Sequence, residues 1–419
     1  MPRRGQTRSA QAGTRRHARL PLKSQPPAIA AFAAPGSSDL RALIFSFDSR
    51  FRTWLAGRAT ASQWTLLLIL SLAFGAVLDQ TGLPAALLLG PMVAAILLAA
   101  SEARVRVPQP PFQLAQGVIG CLIAHNLPVS ILAEMRSDWP LFIGTVFAVI
   151  AVSVLLGWLL SRWGVLPGTS AVWGSSPGGA SAMMLMAEAY GADVRLVAFM
   201  LYLRVMLVAV VASLVSRLWV IGSGGAPPPV DWWGAVAWLS FGATLAVIVA
   251  GVMLGRWLKI PAGPLLVPLV IAAVLANSGY LTITLPPWFL AVSYGLIGWS
   301  IGLRFTRGIL VHAARALPRV ALSILTLMAI CGGLAVMLVV FAGIDPLSAY
   351  LATSPGGADS VAIIAASSHV NLPFVMAMQA CRVFIIIVTG PSLMRFFANR
   401  IGAAEAARAQ PTPSALSEP

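Results

Sequence analysis

The pentapeptide Ser176-Pro177-Gly178-Gly179-Ala180 recurs letter for letter as Ser354-Pro355-Gly356-Gly357-Ala358, 178 positions later, and each copy interrupts an apolar stretch. Other landmarks keep the register. Gly120 pairs with Gly298 and Arg204 with Arg382 at 178, Pro84 with Pro261 and Pro91 with Pro268 at 177, with a one-residue gap between the two groups. A chain duplicated in this way is two copies of one folding unit.

Composition names the solvent of that unit. Of 419 residues, 58% are hydrophobic and only 10% charged, with mean hydropathy +0.86. A soluble domain carries roughly 25% charged residues. Apolar segments lie near 64–79, 84–101, 112–132, 139–161, 169–190 and 195–217 in the first unit. In the second they lie near 232–255, 262–280, 287–303, 318–342, 347–368 and 372–396. Segments of about 20 residues match a hydrocarbon core of roughly 30 Å. Lipid offers the backbone no partners, so the expected fold is an all-α polytopic membrane protein. Trp64, Trp139, Trp219, Trp232, Trp257 and Trp288 cluster at segment ends, where indoles favour the interface.

Loop charges decide how the segments cross. If all six of each unit span and the N-terminus is cytoplasmic, Arg304, Arg307, Arg315 and Arg319 fall outside with Arg256 and Lys259, against the positive-inside rule. Letting the fifth segment of each unit enter and leave on one side returns every basic loop to the cytoplasm. The fifth segment is also the one split by Ser-Pro-Gly-Gly. Proline lacks an N–H and glycine tolerates dihedrals closed to other residues, so the helix breaks there. The reading is two inverted repeats, about ten transmembrane helices and two re-entrant or broken SPGG hairpins. Both termini would be cytoplasmic.

The corresponding division is a basic arm 1–63, repeat 64–217, external linker 218–231, repeat 232–398 and cytoplasmic tail 399–419. Residues 1–60 hold eleven Lys/Arg against Asp39 and Asp48 and show no sustained periodicity before about Asp39, so the start of the arm reads as disordered. It is either a functional extension or a start-site artefact. Within it, 40–58 has the pattern of an amphipathic helix, lying on anionic lipid or on the protein's own cytoplasmic face. Residues 1–60 alone hold +9 of the +15 net charge, a distribution that argues for a membrane surface and not for nucleic acid.

Inverted repeats with interrupted segments at matching positions are a transporter pattern, with the site where the repeats meet. The candidate substrate-binding residues are Ser176, Pro177, Gly178, Gly179, Ser181 and Arg204 in the first unit. In the second they are Ser354, Pro355, Gly356, Gly357, Asp359, Gln379 and Arg382. Half-helix N-termini beyond each break can bind an anion and freed carbonyls a cation. An arginine deep in an apolar segment costs about 2.5–3.5 kcal/mol on insertion scales, and Arg204 and Arg382 bear that cost at equivalent positions. Each either caps carbonyls freed by the break or clamps an anion with its planar fork. Asp359 can pair with Arg382 or hold a coupling ion. Its counterpart Ser181 is neutral, so the halves are not equivalent. The single cysteines Cys121, Cys331 and Cys381 read as small buried hydrophobes, and the four histidines offer no metal-ligand spacing. No metal, cofactor or catalytic group is expected, and the chain is read as a non-enzyme.

The stretch SPGGASAMMLMAEAYGADVRLVAFMLYLR, its echo SPGGADSVAIIAASSHVNLPFVMAMQACR and the trailing VTGPSLMRFF resemble the membrane AbrB family. That family is duplicated and bacterial, and the resemblance covers about 64–398. It implies a bacterial inner-membrane location and distant likeness to cation–anion antiporter-type folds. Family labels include regulator of AidB expression and ammonia monooxygenase. Many members carry glutamine three residues before the arginine. Gln379 fits, while Leu201 replaces it in the first unit, and Ala182 stands where some members have a carboxylate.

The expected function is a secondary transporter, or a sensor derived from one, of a small anionic or polar organic solute. The alternative is a membrane regulator of gene expression acting through a partner protein, and a monooxygenase-related protein is third. Expected partners are the bilayer, a small organic anion, a coupling Na+ or H+, and further copies of the chain. No direct nucleic-acid binding is expected.

Overall fold

The computed structural model describes residues 57–83, 85–126, 139–163, 170–175, 192–222, 236–260, 262–314, 316–368 and 370–382, with isolated positions between and after them. The arm with its 40–58 helix, the first Ser-Pro-Gly-Gly, most of the linker and the tail lie outside the described residues. Among the described residues every regular element is a helix. They are α1 (Thr60–Gln80), α2 (Ala86–Ala100), α3 (Gln109–His125), α4 (Trp139–Arg162), α5 (Ser170–Ser175) and α6 (Val194–Gly222) in the first unit. The second has α7 (Trp238–Trp257), α8 (Gly263–Asn277), α9 (Pro287–Gly302), α10 (Arg307–Ala313), α11 (Leu317–Ala342), α12 (Pro346–Thr353) and α13 (Ala358–Ala366). Residues 372–382 form a further helix.

Five helices are long and apolar enough to cross a membrane: α1, α4, α6 to Leu218, α7 and α11. The pair α9–α10, bent by 52°, makes six if taken as one span. This is a multi-pass membrane protein. The fifteen-residue α2 and α8 reach only about 22 Å, less than the segments 84–101 and 262–280 suggest. Each begins after an alanine in the left-handed region, Ala85 (φ 60°) and Ala262 (φ 56°). Each also carries a proline inside, Pro91 and Pro268.

The duplication extends to backbone dihedrals. Left-handed residues occur as Gly82 and Lys259, Ala85 and Ala262, and Glu102 and Gly279, three pairs at one offset of 177. Such angles are uncommon outside glycine. Four of the six are not glycine. In α12 the chemistry is local: Asp345 accepts from the Ser348 N–H (2.9 Å) at the N-cap, with Pro346 at N1.

Packing cuts across the duplication. α2 of the first unit packs on α9 of the second, and α8 of the second on α3 of the first. α1 and α7 lie outside on α2 and α8. These six helices form one body. The other holds α4, α5, α6, α11, α12, α13 and the 372–382 helix. The helix-on-helix approaches need glycine for space. A Cβ at Gly298 would lie 2.5 Å from the Leu88 carbonyl oxygen, and one at Gly120 would strike that of Leu265.

The bodies meet in an apolar core. Leu88, Leu89, Met92, Ile119 and Ile123 on one side face Ala209, Ala212, Leu351, Val361, Ile364 and Val375 on the other. At one end the α9–α10 elbow, with α10 belonging to neither body, bridges the two by polar contacts. There Arg304 donates to the Tyr202 hydroxyl (2.5 Å), Arg307 pairs with Glu102 (3.3 Å) and His312 meets Asp193 (2.5 Å).

Candidate site at the helix breaks

In the second unit the fifth segment is α12, a break at Ser354–Gly357, and α13. The Oγ of Ser348, in the first turn of α12, accepts the N–H of Asn371 (2.8 Å), at the start of the next helix. Asn371 Oδ1 in turn accepts from Phe374 N–H (3.1 Å). The two ends of the segment are thus clasped together. The first unit repeats this at 178. Ser170 Oγ accepts Asp193 N–H (3.0 Å), and Asp193 Oδ1 accepts the N–H groups of Arg195 (3.0 Å) and Leu196 (3.2 Å).

The two clasps lie at opposite ends of α6. Asp193 sits at its start. Near its far end Ser216 shares a hydrogen bond (2.5 Å) with Ser368, which closely precedes Asn371. Twenty-three residues separate 193 from 216, about 34 Å of helix, close to the thickness of a bilayer core. Arg204 and Arg382 each follow their clasp by eleven residues, or about 16 Å. The end of α5 at Ser175, bonded to Arg204, and the break at 354–357, bonded to Arg382, therefore both lie at mid-depth. Gly356 lies against Val208, one turn beyond Arg204, and Trp173 of α5 shares a core with Ala352, Phe374 and Met378.

Ending α12 at mid-depth strands its last carbonyls where water cannot reach them. Side chains of the 372–382 helix supply the donors. Gln379 Nε2 donates to Leu351 O (2.8 Å), Arg382 Nη1 to Ser354 O (2.5 Å) and Arg382 Nη2 to Gly356 O (2.7 Å). In the first unit Arg204 Nη1 donates to Ser175 O (3.2 Å). Both arginines are 5% exposed. Carbonyl capping, one of the two roles open from sequence, is thus a feature of both. Arg382 Nε is buried with no partner among the described residues, and so is Gln379 Oε1.

The structure brings together Ser354, Pro355, Gly356, Gly357, Gln379, Arg382 and Arg204. Ser176, Pro177, Gly178, Gly179 and Ser181 lie outside the described residues, as does the Asp359 side chain, so its expected pairing with Arg382 has no description. The role expected for glycine dihedrals is corrected. Neither Gly356 nor Gly357 has positive φ, and Gly357, the N-cap of α13, is at φ −75°. What Gly356 supplies is room: a Cβ there would lie 2.7 Å from Val208 Cγ1. Asn277 bonds its own helix at Ala273 O. The clasp residues were missed from sequence, although Ser170/Ser348 and Asp193/Asn371 keep the offset of the pentapeptides.

Comparison with known proteins gives the family. The family described as "Transition state regulatory protein AbrB" matches residues 87–398. The chain belongs to the AbrB family. It is 45% identical over 338 residues to "Putative regulator AbrB" of Escherichia coli (strain K12), covering 80% of this chain and 97% of that protein. It is 25% identical over 358 residues to "Uncharacterized protein YhjN" of Bacillus subtilis (strain 168), covering 78% and 91%. The AbrB match takes in both clasps and both buried arginines.

Proposed function

We propose that this AbrB-family protein is a secondary transporter, or a sensor derived from one, of a small anionic organic solute. The observation that carries the reading is the pair of clasped segments at opposite ends of α6, with the end of α5 and the break at 354–357 each bonded by a buried arginine near mid-depth. Interrupted helices at matching positions of two repeats place a binding site where the repeats meet. The start of α13 carries no side-chain cap, so its first N–H groups and the Arg382 edge both favour negative charge. The apolar core between the bodies would let the body that holds the broken segments shift against the other.

The helix directions support inversion of the repeats. Gly298 and Gly302 of α9 lie against Leu88 and Ile96 of α2 in the same order, so these helices run parallel. The end of α3 packs on Leu281, Ile283 and Phe289 at the start of α9, so α3 opposes both. Gly117 and Gly120 of α3 meet Pro264 and Leu265 of α8 in order. The equivalent helices α2 and α8 are then antiparallel. Ten crossings, an inner-membrane location and cytoplasmic termini complete the proposal. A cysteine placed at 222–229 should react with impermeant reagent from outside, and one beside Arg307 only after permeabilisation. External labelling beside Arg307 would refute the inversion.

The direct test is ion-driven uptake of small organic anions by protein reconstituted in liposomes. Gly356→Leu should insert normally yet abolish uptake, because its side chain must displace Val208. Absence of uptake across a broad anion panel, with stoichiometric ligand binding intact, would favour the sensor. A membrane regulator is the second reading, supported by the name of the Escherichia coli relative. A regulator would bind the anion without moving it.

A further inference from the structure

The break leaves two buried atoms of opposite character on one helix face. Arg382 bonds carbonyls through Nη1 and Nη2, while its Nε–H has no partner among the described residues. Nη2 also bears a second hydrogen. Together they form the side edge of the guanidinium, which receives a carboxylate through two parallel bonds. Gln379 is three residues earlier, one turn away on the same face, with Cβ atoms about 5–6 Å apart. It is fully buried. Its Nε2 is fixed on Leu351 O, which holds the amide in place and leaves Oε1 without a partner among the described residues. An amide oxygen only accepts. The group that satisfies it must bring an N–H or O–H.

We propose that the anion held here carries a hydrogen-bond donor beside its carboxylate, as a 2-hydroxy or 2-amino acid does. The carboxylate takes the Arg382 edge and the donor takes Gln379 Oε1. Buried atoms of this kind go unsatisfied only at a cost, and a ligand of this class satisfies both. The first unit has Leu201 in place of Gln379, so the donor is read on one side only. The inference rests on the anion-binding reading above and narrows it to a substrate class.

The test is isothermal titration of the full-length protein in detergent with L-lactate, L-alanine and propionate, which share a three-carbon frame. Wild type should bind lactate or alanine at least about tenfold more tightly than propionate, since a site built around a donor rejects the analogue that lacks it. Gln379→Met keeps the side-chain length and removes the acceptor. It should lose the preference, its affinities for lactate and alanine falling to that for propionate. Gln379→Asn, which withdraws the amide by one methylene, serves if the methionine variant does not fold, and it too should lose the preference. Equal affinity of wild type for all three, or preference retained in the variants, would overturn the donor inference while leaving an anion site. The two atoms would then be served by water. Binding of none of the three would overturn the inference and the anion reading together.

Discussion

Arg382→Met is expected to lower stability by about 2–6 kcal/mol and to abolish anion binding. The stability loss is the cost of two buried acceptors, Ser354 O and Gly356 O, left unsatisfied at about 1–3 kcal/mol each. Arg382→Lys separates the two roles. An ammonium can reach one of the carbonyls and recover part of the stability, but it has no planar edge for a carboxylate. Melting of the detergent-purified variants, with and without a bound anion, makes the distinction. The lysine variant should melt between wild type and Arg382→Met and gain nothing from the anion. If it gained as much as wild type, the arginine would serve the fold alone and the clamp would be refuted.

Gly298→Ala and Gly120→Ala should each destabilise by about 1–3 kcal/mol, the range for overpacking a filled interface. In both, the new methyl meets a backbone carbonyl, of Leu88 or Leu265, which no rotamer change can move away. Gly332→Ala, where a Cβ meets nothing within 4 Å, is the control. It should be neutral or up to about 1 kcal/mol more stable, from helix propensity alone. Fluorescence-detected melting of the three variants checks the order. If Gly298→Ala melted like Gly332→Ala, the α2–α9 approach would be looser than described.

The parts legible in sequence are those that lipid and duplication dictate. Apolar length gave the helical membrane class, and the repeated pentapeptide marked the break that separates α12 from α13. Arg204 and Arg382 stood out because charge in an apolar segment needs a reason. The partners of these arginines were legible only as alternatives, since carbonyls carry no sequence signal. The elbow contacts were not legible. Arg304–Tyr202 and His312–Asp193 join residues 102 and 119 positions apart, and nothing in a single sequence pairs them. The helix exchange between the units was hidden for a related reason. Gly298 keeps the same offset whether it packs on its own unit or on the other.

That exchange bears on how such a chain could have arisen. Since α2 finds its partner in α9 and α3 in α8, a protein made of one unit would expose both glycine-lined faces to lipid. Two separate copies could cover those faces only by embracing, each lending the other what its own half lacks. A one-unit ancestor would then have needed a second copy, and on the inverted arrangement proposed above its two subunits would have entered the membrane in opposite senses. On that proposal, fusing the genes fixes one copy each way up and frees the halves to diverge. The replacement of Gln379 by Leu201 at the equivalent position is a divergence that no symmetric pair could have held.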